Sequence, residues 1–271
     1  TLFVLASLLV KSGERLLTAD SGMREEGLLT FRAYISGDAY DAPAARATAV
    51  DGLIAALQAR PEVTEAAVMS AMPVDDSGDD VRLGLGSEAS TKEMAPATLV
   101  RASTGAFQTL GRGFLAGTGF EKGDAGLNTS SETKAVLGLR VATRLFGSAS
   151  EAVGRNLTVQ AEDASLNRYA VRVVGVIPDI QWEEFGETTD YSANAIYVPQ
   201  GLEVGRSISV LVRARSAAGA MSLAPSTPRL VSQAIPGASA YAVQTMTDLR
   251  AFTSWEQRLF GRLMSAFGIG A

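Results

Sequence analysis

Asp75, Asp76, Asp79 and Asp80 crowd one short run, and carboxylate sets of this kind hold hard cations such as Ca²⁺. Their spacing misses the alternating ligand pattern of an EF-hand loop, so the run reads instead as a solvated acidic loop. Ser131 and Lys134 have the serine-x-x-lysine spacing of penicillin-recognising enzymes. The Ser-Asp-Asn and Lys-Thr-Gly motifs that complete such a site are missing, which leaves the pattern without its partners. The glycine-dense stretch 111–120 resembles a phosphate cradle only superficially. No Gly-Lys-Ser/Thr follows to supply the lysine and hydroxyl that reach phosphate and Mg²⁺, and tight turns account for these glycines.

Histidine and cysteine are absent from the 271 residues. Without them the commonest general base, the thiolate nucleophile and the usual transition-metal ligands are gone. The sequence therefore predicts no catalytic residues, no metal and no cofactor, and the chain reads as a non-enzyme. A secreted or anchored enzyme that uses carboxylates alone, such as a glycosidase with two carboxyl groups about 5–9 Å apart, is the enzymatic alternative. The formal charge of −5 and the absence of a basic stripe argue against nucleic-acid binding.

The elements that would position any site fall into a repeat. Residues 28–35 read as a strand, 42–60 as a helix with Val50, Leu53, Ile54 and Leu57 at helical spacing, and 63–73 as a strand. The order recurs as a strand over 207–215, a helix within 216–235 and a strand over 238–246. Pro61 and Pro236 each stop a helix before its second strand, and Pro225 and Pro228 predict that the second helix starts near Thr227. Two such βαβ units can share one sheet with both helices on one face. What lies between behaves as an insertion of short strands, at 98–104, 134–138, 156–162, 169–177 and 195–199, with a single helix at 139–147. The stretch 72–96 is poor in large apolar residues and reads as a mobile loop.

Both ends look like pieces of membrane helices. Residues 1–10 are apolar or small up to Lys11, short of the roughly 20 that a span requires, and they lack the basic leader of a signal peptide. At the other end Phe260, Leu263, Met264 and Phe267 keep to one helical stripe that, with Leu5, Leu8 and Leu9, predicts two helices side by side.

Five pieces in order carry a family resemblance: LLVKSGERLLTADSGM, RASTGAFQTLGRGFLAGTGF, KAVLGLRVATRLFG with EAVGRNL, YAVRVVGVIPDI with AIYVPQ, and SVLVRAR with YAVQTMTDL. In this order the chain resembles MacB-like, FtsX-like ABC transporter permeases. The resemblance implies an α+β fold, with a porter-like subdomain of two βαβ units and an inserted, mostly β second subdomain. It implies a membrane-helix end and stalk at 1–24, the porter-like part at 25–75 and 205–250, the insertion at 76–204, and a second stalk at 251–271. Family members often carry Asn-Glu where this chain has Gly138 and Leu139.

The resemblance further implies an extracytoplasmic domain in the bacterial inner membrane that couples cytoplasmic ATP hydrolysis to periplasmic movement for efflux or mechanotransmission. Its implied partners are a cytoplasmic ABC ATPase subunit or domain, the membrane, a second permease copy and a periplasmic adaptor. Trp255 and Arg258 are the expected membrane-interface anchors, where amphipathic aromatic and basic side chains settle. Trp182 and Phe185, in a polar loop, are the candidate partner contacts. A ligand-sensing receptor domain is the alternative, and it predicts a compact pocket with convergent polar groups.

Overall fold

The computed structural model describes residues 21–76, 78–86, 94–124, 126–127, 132–161, 167–182, 194–201 and 203–255. The first unit is β1 (Leu28–Ile35), α1 (Pro43–Gln58) and β2 (Val63–Met69). Pro43 opens α1 in the first turn, where its missing N–H costs nothing, and Val50, Leu53 and Leu57 turn inward. The second unit is β10 (Ser207–Ala214), two short helices, and β11 (Ala238–Thr245). The strands interleave in the order β11-β1-β10-β2 with every neighbour antiparallel, the arrangement of a split βαβ fold. Leu29, Phe31, Ala33 and Ile35 of β1 and Ile208, Val210 and Val212 of β10 face the helices, as alternation along a strand requires.

The second unit corrects one expectation from the sequence. A helix does begin at Thr227 (Thr227–Ala234), but another (Ala217–Leu223) precedes it. Ser216 caps that earlier helix by accepting from the Gly219 N–H at 3.1 Å, and a 3-10 turn through Pro225 joins the two. Proline thus bends the helical layer without preventing its first half.

Between the units the chain forms β3 (Asp79–Leu85), β4 (Ala95–Ala102), α2 (Ala106–Leu110), β5 (Ala116–Gly117), β6 (Thr133–Gly138), α3 (Leu139–Phe146), α4 (Ala149–Ala152), β7 (Asn156–Ala161), β8 (Arg168–Ile177) and β9 (Ala195–Pro199). The two helices of the second unit are α5 and α6, and α7 (Met246–Thr253) follows β11. Pairings run β4–β3–β7–β8–β6–β9 and back to β4, which closes a six-stranded barrel. Val81, Leu83, Leu99, Leu137, Leu157, Val159, Val171, Val173, Ile196 and Val198 fill its interior, as in other small barrels.

β3 lies inside the stretch 72–96 read as a loop, because its period-2 signal is only Val81 and Leu83 behind two aspartates. Closure supplies what local pattern lacks: β3 is paired on both edges, by β4 and β7. The short helices α2 and α4 likewise escaped a reading that placed one helix in this region.

The barrel meets the split layer at one register pair, Met69 of β2 opposite Ala102 of β4. Ser70 N–H donates to the Arg101 carbonyl and Ser103 N–H to the Val68 carbonyl, both at 2.9 Å. In return Arg101 N–H donates to Ser70 Oγ at 3.0 Å and Val68 N–H to Ser103 Oγ at 2.9 Å. Two serine hydroxyls therefore satisfy donors that would be left unpaired where the ladder ends. Behind this seam lies a shared core: Leu28, Met69, Leu211, Met246 and Leu249 of the layer pack with Val100, Phe107, Leu110, Val136, Trp182 and Tyr197.

Candidate functional site: the joint of the entry segment, the exit helix and the barrel

Residues 21–27 approach β1 across the shared core and are fixed there by residues distant in sequence. Met23 is buried in that core, Arg24 N–H donates to the Leu110 carbonyl at 2.9 Å, and Gln181 N–H donates to the Ser21 carbonyl at 3.1 Å. Gly22 has φ +76, and a Cβ there would lie 1.8 Å from the Asp179 carbonyl oxygen, so no side chain fits.

The exit helix α7 starts at a cap in which Thr245 Oγ1 accepts from Asp248 N–H at 3.1 Å. Met246 and Leu249 join the core that holds Met23. The next turn brings Arg250 onto Glu25, an ion pair with side chains only 15% and 19% exposed, and Ser21 Oγ donates to the same carboxylate oxygen at 2.6 Å. One clasp thus fastens the entry segment to the exit helix. Beyond it Phe252 is 68% and Trp255 53% exposed. Arg258 lies outside the described residues.

Arg213, a residue the sequence did not single out, sits under this joint and is 3% exposed. Its Nη1 donates to the Glu26 carbonyl at 2.6 Å, Nη2 to the carbonyls of Arg24 (2.6 Å) and Thr109 (2.7 Å), and Nε to Thr109 at 2.9 Å. Burial, with the nearby charge of Arg24, lowers its pKa to about 10, so it remains a cation at neutral pH. A lone arginine in an apolar-polar strand pattern carries no sequence signal for such a role.

Trp182 is not a surface contact: it is 1% exposed, and its Nε1–H donates to Tyr197 Oη at 3.1 Å. Tyr197 in turn stacks edge-on with Phe107 at 5.4 Å, and Phe107 packs against Phe114 and Phe120. Burial of the Tyr197 hydroxyl raises its pKa, so it stays neutral as donor and acceptor. Phe185 lies outside the described residues.

The polar constellations noted in the sequence are internally matched. Arg32 pairs with Asp75 at 2.7 Å and Asp76 at 3.3 Å, and Arg101 pairs with Asp79 and Glu203, which corrects the reading of a merely solvated acidic loop. Among the described residues no cluster of three or more carboxylates is placed to hold a metal. Lys134 is bonded to Asp124 at 2.9 Å and Glu121 at 3.1 Å, and these hydrogen bonds raise its pKa, the wrong direction for a base. Ser131 lies outside the described residues. At the departure from the family pattern, Gly138 leaves room for Asp179, whose Oδ1 accepts from Arg140 N–H at 3.0 Å and caps α3.

A cleft of about 590 Å³ lies between α1 and the barrel loops, lined by the apolar Val50, Ile54, Leu127 and Val204 and by the carboxylates Asp51, Glu121, Asp124 and Glu203. Its carboxylates do not converge on an empty centre: Lys134 and Arg101 already hold Glu121, Asp124 and Glu203. No described helix is long and apolar enough to cross a membrane.

Comparison with known proteins follows the same lines. The family model of the MacB-like periplasmic core domain matches residues 2–245. The periplasmic region of MacB from Actinobacillus actinomycetemcomitans superposes with a TM-score of 0.53 at 13% identity, covering 88% of this chain and 97% of that one. The extracellular domain of the ABC-type transporter YknZ from Gram-positive bacteria gives 0.45 at 15% identity, covering 78% and 99%. No curated protein matches the sequence. With its family model matched over most of its length and an α+β fold shared with a MacB periplasmic region, the chain belongs to the MacB-like periplasmic core domain family and is an extracytoplasmic domain of an ABC transporter permease.

Proposed function

We propose that this domain relays movement of the permease's membrane segments, driven by ATP hydrolysis in a cytoplasmic ABC subunit or domain, to the barrel and its periplasmic surroundings. The observation that carries the reading is the Glu25–Arg250 clasp, which makes the entry segment and the exit helix one mechanical unit seated on the core shared with the barrel. A rigid joint passes displacement on, whereas a loose one dissipates it. In this reading 1–24 and 251–271 are stalks, 25–75 and 205–250 the porter-like part, and 76–204 the driven part. Trp255 and Arg258 mark the membrane–water boundary. The permease works as a dimer in the inner membrane, and a periplasmic adaptor receives the movement.

The test is made in the full-length permease with its ATPase. Glu25→Gln and Arg250→Gln should each leave ATP hydrolysis running while transport falls roughly five- to tenfold, the scale of a lost coupling free energy. Transport and hydrolysis that both stay at the parental rate would remove the clasp from the mechanism.

A further inference from the structure

We propose that Arg213 is a positioning residue that locks the entry segment, residues 21–27, to α2 and through α2 to the barrel. The inference rests on the mechanical reading above and names one side-chain connection through which that movement passes, beside the main-chain bond from Arg24 N–H to the Leu110 carbonyl.

An arginine at a surface pairs with carboxylates, whose side chains can swing away. Arg213 instead addresses three main-chain carbonyls from two stretches far apart in sequence, Arg24 and Glu26 on one side and Thr109 on the other. Thr109 lies in the last turn of α2, where carbonyls lack partners within the helix. The planar fork of the guanidinium reaches all three at once, which the single ammonium of a lysine cannot do. Gly111 makes the approach possible: at φ +72 it ends α2, and a Cβ there would stand 2.9 Å from Arg24 Cβ and 3.4 Å from Arg213 Nη2. On its other side α2 presents Phe107 to Phe114, Phe120 and Tyr197. The path from entry segment to barrel is therefore a run of direct contacts: main chain to Arg213, Arg213 to α2, and α2 to the aromatic cluster.

The chain has no cysteine, so spin labels can be placed at will. In the 271-residue chain one pair, Glu26→Cys with Arg144→Cys, spans the joint; a control pair, Asp51→Cys with Met221→Cys, lies within the split layer. Arg213→Lys should broaden the distance distribution across the joint, leave the control pair as narrow as in the parent, and speed amide exchange over residues 106–111 about tenfold by local opening. Gly111→Ala, which crowds the joint without touching its charge, should do the same and carries the comparison if the lysine variant does not fold. An unchanged joint distribution in a folded variant overturns the proposal. Equal broadening of both pairs also overturns it, since Arg213 would then support the fold as a whole. A broadened joint together with unaltered transport in Glu25→Gln would keep Arg213 in its role and discard the clasp alone.

Discussion

The split layer and the barrel use strands in opposite ways. The layer assembles β1 and β2 with β10 and β11 from the far end of the described chain, and among the described residues β11 is left as an edge. The barrel draws its strands from one continuous stretch and closes on itself, so none of its six strands has a free edge. The layer also covers both faces of β1 near Leu28, helices on one side and the shared core on the other, whereas the barrel keeps its own interior separate from that core. Phe107 and Trp182, belonging to neither interior, join the two.

The comparison is tested most severely by Phe107→Ala. Truncating a buried phenylalanine in the shared core should cost about 3–5 kcal/mol, and if the regions unfold together a single transition moves to lower denaturant. Two separated transitions in urea, followed by circular dichroism and by Trp182 fluorescence, would show that layer and barrel are independent.

Tyr197→Phe removes the acceptor for Trp182 Nε1–H and strands a buried donor, for an expected loss of about 1–3 kcal/mol. The indole N–H resonance of Trp182 should shift while that of exposed Trp255 stays in place.

A smaller and purely local effect is expected from Ser216→Ala, about 1 kcal/mol for a lost helix cap. Hydrogen exchange should quicken in 217–223 and leave the barrel strands untouched; exchange spreading into β6 or β8 would mean that the helical layer and the barrel are more tightly coupled than the geometry implies.

The smallest expected effect concerns pH. Burial raises the pKa of Asp76, with Arg32 opposing the shift only in part. Between the ordinary aspartate value and this raised one the folded chain holds more proton than the unfolded chain, so stability falls as pH rises through that window. Asp76→Asn should flatten this dependence, and a slope equal to that of the parent in pH-resolved denaturation would contradict it.

Amino-acid pattern alone was enough for the elements whose signal is local. The helix of 43–58, with Val50, Leu53 and Leu57 on one stripe and Pro61 behind it, and the β-branched strands at 134–138, 169–177 and 195–199 were all legible, because side-chain period and breaker residues act within one element. So was the absence of His and Cys, which removes most chemistry whatever the fold. β3 was not legible, since two inward residues make no period until β4 and β7 flank them. Nor were the pairings of Asp75, Asp76 and Asp79 with Arg32 and Arg101, the burial of Trp182 in a polar stretch, or the three carbonyls gathered around Arg213. Each of these joins residues from different stretches of the chain, fifteen or more positions apart. A side chain's type states what it can bond to, and only tertiary closure decides which partner is within reach and whether water is there to compete.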